Sequence, residues 1–138
     1  DKAVALYGAD VVGLNEIYDQ DADIYAPCAL GATINDGTID RIKAKIIAGC
    51  ANNQLASKKH DQALVDRGIL YAPDYVINAG GIINVSFEHD YCKEKSTKKV
   101  TEIYDTLLTV FEKADLENKP TGMVADEMAR EIIARGGK

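Results

Sequence analysis

Three short apolar runs, Ile24 to Ala26, Lys45 to Ala48 and Ile69 to Ala72, recur along the chain with helix-capable segments between them. Each run has the length of a strand. One helix is expected around Thr38 to Lys43, and another in "HDQALVDRG", where Gly68 supplies a stop after Arg67. Strands alternating with helices imply βαβ crossovers and therefore a parallel sheet. Each run also enters loop-forming residues: "APCALGA" after the first, "GCANNQ" after the second and "APDYVINAGG" after the third. In a parallel α/β sheet such loops share the carboxyl edge, where ligands usually bind. Asn52, Asn53, Asn78 and the adjacent Gly80 and Gly81 are thus expected to converge on one crevice.

The stretch "YVINAGGIIN", Tyr75 to Asn84, has two readings. As a turn, it uses glycine for positive φ, which asparagine also tolerates. As a binding element, it lets a ligand lie against bare backbone while side-chain amides fix its polar groups.

The last third changes character. Val100, Ile103, Tyr104, Leu107, Leu108, Phe111 and Ala114 fall at three- and four-residue spacings, the stripe of an amphipathic helix. A second helix is expected after "NKPTG", with Val124, Met128, Ala129 and Ile132 on its inner face. Both stripes read as core packing, since burial alone requires that periodicity. The fold class is α/β, parallel strands followed by C-terminal helices. It is read as one domain over 1–138, with an α/β part (1–90) and a helical part (91–138).

At 138 residues the chain fits one domain with a true core, and 46% hydrophobic and 28% charged content are ordinary for a soluble protein. No apolar stretch is long enough for a bilayer, and "DKAVALYGAD" lacks the form of a secretory signal. The three cysteines, Cys28, Cys50 and Cys92, are odd in number and widely spaced, which suits a reducing, cytoplasmic setting. A formal charge of -6 argues against nucleic acid as a partner, although "KEKSTKK" is a local basic cluster, read as the solvated start of a helix. No metal site is expected: His60, read as an exposed helix start, and His89, beside Glu88 and Asp90, lack ligand partners at short spacing. Cys28 has no base near it in sequence and reads as part of a small-residue loop, not as a nucleophile. Asp36 and Asp74 read as cap or turn residues. Neither GxGxxG nor GxxxxGK[ST] occurs. The residues by themselves describe an α/β domain with an amide-rich crevice for a small molecule.

The segments "DIYAPCALGATINDGTI", "AKIIAGCANNQL" and "YAPDYVINAGGIINVSFE" resemble the later part of the glutamate/leucine/phenylalanine/valine amino acid dehydrogenases. The likeness continues through "EIYDTLLTVFE" and "PTGMVADEMAREI", from about Ala9 to Ile133, and is weaker in "FEHDYCKEKS", where Cys92 receives no role. It implies the later part of a Rossmann-like dinucleotide-binding domain. It also implies NAD as cofactor and reversible oxidation of an L-amino acid to a 2-oxo acid and ammonia. In that reaction hydride passes from the substrate α-carbon to the nicotinamide, and water attacks the resulting imine.

Carried over residue by residue, Cys28 and Ala29 match the loop whose backbone lies beside the nicotinamide end. Asn53 matches the residue between nicotinamide ribose and substrate, and Asn78 one that contacts the nicotinamide. Gly80 and Gly81 keep backbone close to the ring, while Ile82 and Val85 match the substrate side-chain pocket. That apolar wall implies leucine and other branched-chain amino acids. One methylene is worth only about 1–3 kcal/mol, so these need not be sharply separated. A phenylalanine- or valine-preferring member, or a non-catalytic nucleotide-binding or assembly module, are the alternatives.

The family's catalytic lysine and aspartate and its glycine-rich turn are expected upstream of residue 1. No catalytic residue is therefore assigned within the chain, which is expected to be a fragment inactive by itself, and Asp1 is not read as the ribose-binding aspartate. The complete enzyme is expected to be a homo-oligomer. The end "REIIARGGK" looks shorter than the family's tail.

Overall fold

In the computed structural model, which describes residues 2–136, all three apolar runs become strands. Asp1 lies outside the described residues, as do positions 137 and 138 of the expected helical part. A first helix, α1 (Lys2–Tyr7), buries none of its residues, and is followed by β1 (Ile24–Tyr25), β2 (Ile46–Ile47), α2 (Lys59–Asp66) and β3 (Leu70–Tyr71). Four α-helices follow among the described residues: α3 (Asp74–Ile77), α4 (Gly80–Val85), α5 (Lys93–Glu117) and α6 (Thr121–Ala134). The sheet is parallel with order β1-β2-β3, and Ile24, Ile46 and Leu70 lie in register. Among the described residues no helix is long and apolar enough to cross a membrane.

The helix expected around Thr38 to Lys43 does not form; a single 3-10 turn, Ile39–Arg41, takes its place. Backbone carbonyls that a helix would have used are taken by the Arg67 guanidinium. It donates to Ile39 O, to Asp40 O at 3.3 Å and to Ile42 O at 2.9 Å. Thr38 Oγ1 donates to Thr33 O at 2.6 Å, a local bond that competes with helical continuation. The crossover from β1 to β2 is therefore a packed loop, and only the one from β2 to β3 carries an α-helix. That helix, α2, stops as expected. Gly68 takes φ +67°, its N–H bonds Val65 O at 2.9 Å and the Ile69 N–H bonds Leu64 O at 2.9 Å, a Schellman ending.

One core gathers Ile34, Ile42, Ile47, Leu64, Ile69 and Tyr71 between the sheet and α2. A second joins α5 to α6 through Val110, Ala114, Val124 and Ala125. The α5 stripe is narrower than its spacing suggests. Tyr104 is 68% exposed and Leu108 40%, while Val110, outside the expected set, is fully buried. Ile103, Leu107, Val110 and Ala114 follow one arc of the helix, and Tyr104 and Leu108 stand about 100° off it. On α6, Val124 and Met128 face inward as expected, whereas Ala129 and Ile132 are exposed and Ala125 takes the buried place.

Candidate functional site

The loops after the three strands are tied to one another at the carboxyl edge. Between the first and second, Ala32 N–H donates to Asn53 O at 2.7 Å, Ile34 N–H to Gln54 O at 3.0 Å and Ala56 N–H to Ile34 O at 2.9 Å. Gly31 permits this approach, since a Cβ there would stand 2.7 Å from Asn52 O. Asn53 and Ala32 both adopt left-handed backbone, with φ 53° and 55°. Asparagine visits that region readily, whereas alanine resists it by roughly 1–2 kcal/mol, so the cross-loop bonds hold Ala32 there.

The second and third loops meet through side chains. Asn78 Nδ2 donates to Asn52 Oδ1 at 2.6 Å and to Cys50 O at 3.3 Å. Among the described residues, Asn78 Oδ1 accepts no protein hydrogen bond. Asp74 is the second tie: its Oδ2 accepts the backbone N–H of Gln54 at 2.8 Å and the Tyr71 hydroxyl at 3.2 Å. Gln54 in turn donates through Nε2 to Gly49 O at 2.6 Å and Ala51 O at 3.0 Å, which curls the second loop.

Of the residues expected to converge, Asn52 and Asn78 touch, and Asn53 is exposed beside Asn52. Cys28 and Ala29 are exposed in the first loop. Gly80 and Gly81 depart from the turn reading. They open α4, and neither is among the residues of positive φ. Their bareness leaves space instead: a Cβ at Gly80 would find only Val100 Cγ1, at 3.9 Å, and one at Gly81 nothing within 4 Å. Ile82 and Val85, three apart on one face of α4, are 70% and 56% exposed.

Some polar residues differ from their sequence reading. His60 is not an exposed helix start; it is buried, with Nε2 2.9 Å from Asp36 Oδ1 and Nδ1 3.2 Å from Ser57 Oγ. Asp36 consequently braces α2, pairing also with Lys59 Nζ at 2.7 Å, and is not a simple turn residue. Gln54 and Asp74, which organise the rim, carried no periodic signal. The nearest hint was an acid placed directly after Pro73 at a strand end.

Beside this rim lies a cavity of about 600 Å³ between α2, α3 and α6, which shares Asn53 and Asp74 with it. Asp61 enters its wall. One oxygen, Oδ2, accepts the Met123 N–H at 3.1 Å, and Oδ1 is buried without a partner. Burial pushes the Asp61 carboxyl above its usual range, against the lowering effect of the backbone N–H groups of Gly122 and Met123. With the folded value raised, the unfolded chain releases this proton first as pH rises, so the group subtracts stability above the ordinary carboxylate range. Asp61→Asn keeps an oxygen for Met123 and removes that loss. Its denaturation midpoint is expected to gain on the wild type as pH rises past about 4, the ordinary aspartate value; a difference constant with pH would contradict this.

A short parallel sheet with tied loops at its carboxyl edge places the chain in the class of α/β domains that take ligands beyond their strand ends. Within that class the chain belongs to the Glutamate/Leucine/Phenylalanine/Valine dehydrogenase family, whose family model matches residues 3–131. It is 54% identical over 134 residues to the leucine dehydrogenase of Thermoactinomyces intermedius, covering 96% of this chain and 37% of that protein. It is 53% identical over 130 residues to an L-tryptophan dehydrogenase of Nostoc punctiforme, covering 93% and 37%. The crystal structure of L-tryptophan dehydrogenase from Nostoc punctiforme superposes with a TM-score of 0.92 at 50% identity, over 97% of this chain and 40% of that one. Hetero-hexameric glutamate dehydrogenase from Thermus thermophilus, at TM-score 0.65 and 16% identity, shares the fold. The chain thus spans 37% of the length of the curated relatives named here. Their family is one of pyridine-nucleotide-dependent dehydrogenases.

Proposed function

We propose that this chain supplies the cofactor-facing wall of an NAD-dependent amino acid dehydrogenase acting on leucine and other branched-chain amino acids, as part of a cytoplasmic homo-oligomer. The observation that carries the reading is the bare start of α4 beside the Asn52–Asn78 contact. There the backbone of Gly80 and Gly81 is open to a flat ligand, and Asn78 Oδ1 remains to accept from it. A carboxamide offers the N–H donors that this oxygen lacks. NAD, when bound, supplies a nicotinamide ring that takes hydride from the substrate α-carbon.

The chain's own residues bind and orient. Backbone at Cys28 and Ala29 would border the ring, Asn53 would stand between ribose and substrate, and Asn78 would hold the carboxamide. Ile82 and Val85 receive the substrate side chain and exclude water from it. No residue of the chain is assigned a proton-transfer role. The described residues form part of an NAD-binding domain, α/β up to residue 90 and helical after it. A bulkier aromatic substrate is the second reading, because a relative named L-tryptophan dehydrogenase is nearly as similar as one named leucine dehydrogenase.

Gly81→Ala in the complete enzyme tests the first reading. A Cβ at Gly81 meets open space and adds helix propensity, so the fold is expected to gain roughly 0.5–1 kcal/mol. The same methyl group intrudes on the ring. Crowding of about 1–3 kcal/mol corresponds to NAD affinity about 5- to 150-fold weaker, read by NADH titration and by leucine-dependent NAD reduction. A variant that is stabilised and binds NADH unchanged takes the cofactor off this edge.

A further inference from the structure

Cys28 and Cys50 lie in the loops that leave two neighbouring parallel strands. Tyr25 pairs with Ile47, and each cysteine stands three residues beyond its member of that pair. The backbones stay side by side past the strand ends, since Ala48 N–H donates to Tyr25 O at 3.0 Å and Ala51 N–H to Pro27 O at 2.9 Å. Gly49 keeps them close, because a Cβ there would fall 2.2 Å from Pro27 O. Adjacent strands run about 4.8 Å apart, within the Cα separation of about 4.4–6.8 Å that a disulfide spans. Both thiols are free and exposed. Hydrogen bonding to Cys28 and the charge of that sulfur hold the Cys50 thiol above its ordinary value. Cys92 sits apart at the start of α5, its thiol directed toward Glu94 Oε2 at 3.5 Å.

We propose that Cys28 and Cys50 form an oxidisable dithiol, a modification site at the carboxyl edge that small disulfides of the glutathione class convert reversibly to an intramolecular disulfide. One thiolate attacks a sulfur of the small disulfide, expelling one small thiol and leaving a mixed disulfide on the protein. The second cysteine's thiolate attacks the protein sulfur of that mixed disulfide and expels the second small thiol. Two protein thiols are oxidised, one small disulfide is reduced to two thiols, and the balance of hydrogens closes. The new S–S bond staples the first loop to the second. On the cofactor reading above, that staple lies beside the nicotinamide end, so bound NADH shields the pair.

The test is intact-mass spectrometry with peptide mapping of the complete enzyme after exposure to glutathione disulfide, with and without NADH. The expected product is a Cys28–Cys50 linked peptide, a net loss of two hydrogens at this pair, no retained glutathione and full recovery with dithiothreitol. In Cys28→Ser or Cys50→Ser the remaining cysteine should instead keep a glutathione adduct, because nothing resolves it. Stable glutathione adducts at both positions of the wild type, linkage of either cysteine to Cys92, or no modification of the pair would overturn the proposal. Shielding by NADH should slow closure in proportion to its occupancy. A disulfide that forms equally fast with NADH bound upholds the dithiol and removes only the cofactor placement.

Discussion

Gly49→Ala is expected to destabilise the protein by about 3 kcal/mol or more, at the upper end of what overpacking costs. A Cβ at this position would stand 2.2 Å from Pro27 O, 2.4 Å from Pro27 N and 2.6 Å from Pro27 Cδ. Those obstacles are backbone and a rigid ring, so no flexible side chain can swing away. Relief must come from parting the first and second loops. That motion strains the bond from Ala51 N–H to Pro27 O, and through it the continuation of the sheet. Denaturant unfolding of the complete enzyme should show a lower midpoint, with wild-type slope if the native state stays compact. Gly68→Ala is the comparison. Its cost there comes only from φ +67°, with open space around the added carbon, so it should lose on the order of 1 kcal/mol. Equal losses for the two variants would show that the contact with Pro27 is not what Gly49 provides.

Asp74→Ala is expected to cost about 3 kcal/mol through a different route. Its carboxylate is the partner of a buried backbone N–H, that of Gln54, and of the Tyr71 hydroxyl. Burial, reinforced by the Asp74 charge, pushes the Tyr71 hydroxyl up, so it remains a donor across the physiological range. Removing the acceptor leaves both donors without a partner, at about 1–3 kcal/mol for each buried group. Asp74→Asn retains one acceptor oxygen and should recover part of the loss. Amide exchange reports the site directly: the Gln54 N–H should lose protection in the alanine variant while Leu64, inside α2, keeps its own. Unaltered protection at Gln54 would contradict the assignment.

The strands and their shared edge were legible because they depend on short-range patterns. An apolar run ending in proline, glycine and asparagine reads as a strand entering a loop, and a parallel sheet collects such loops on one side. The Asn52–Asn78 contact follows from that logic although 26 residues separate the partners. What failed depended on distant partners. Nothing near Thr38 announces that Arg67 will take the carbonyls of Ile39 and Ile42, and so a helix was expected where a single turn forms. His60 looked solvated beside two lysines until Asp36, 24 positions away, gave its ring a buried hydrogen bond. Of the two readings of Gly80 and Gly81 only the turn fails, because both glycines open α4 and neither takes positive φ. The α5 stripe was misplaced for a similar reason: spacing alone does not say which apolar positions meet a neighbour, and the arc that is covered faces α3, α4 and α6.

Each strand contributes just two residues to the paired sheet, whereas the loops above carry their own lattice of backbone and side-chain bonds. The edge of the sheet is thus settled before any ligand arrives. A molecule entering there finds a surface that need not be ordered on contact, and so forfeits little of its binding free energy to freezing the protein. On the cofactor reading, such a preorganised wall would discriminate by fit: it could not relax around a wrong shape, and a single added methyl group would be felt as a collision.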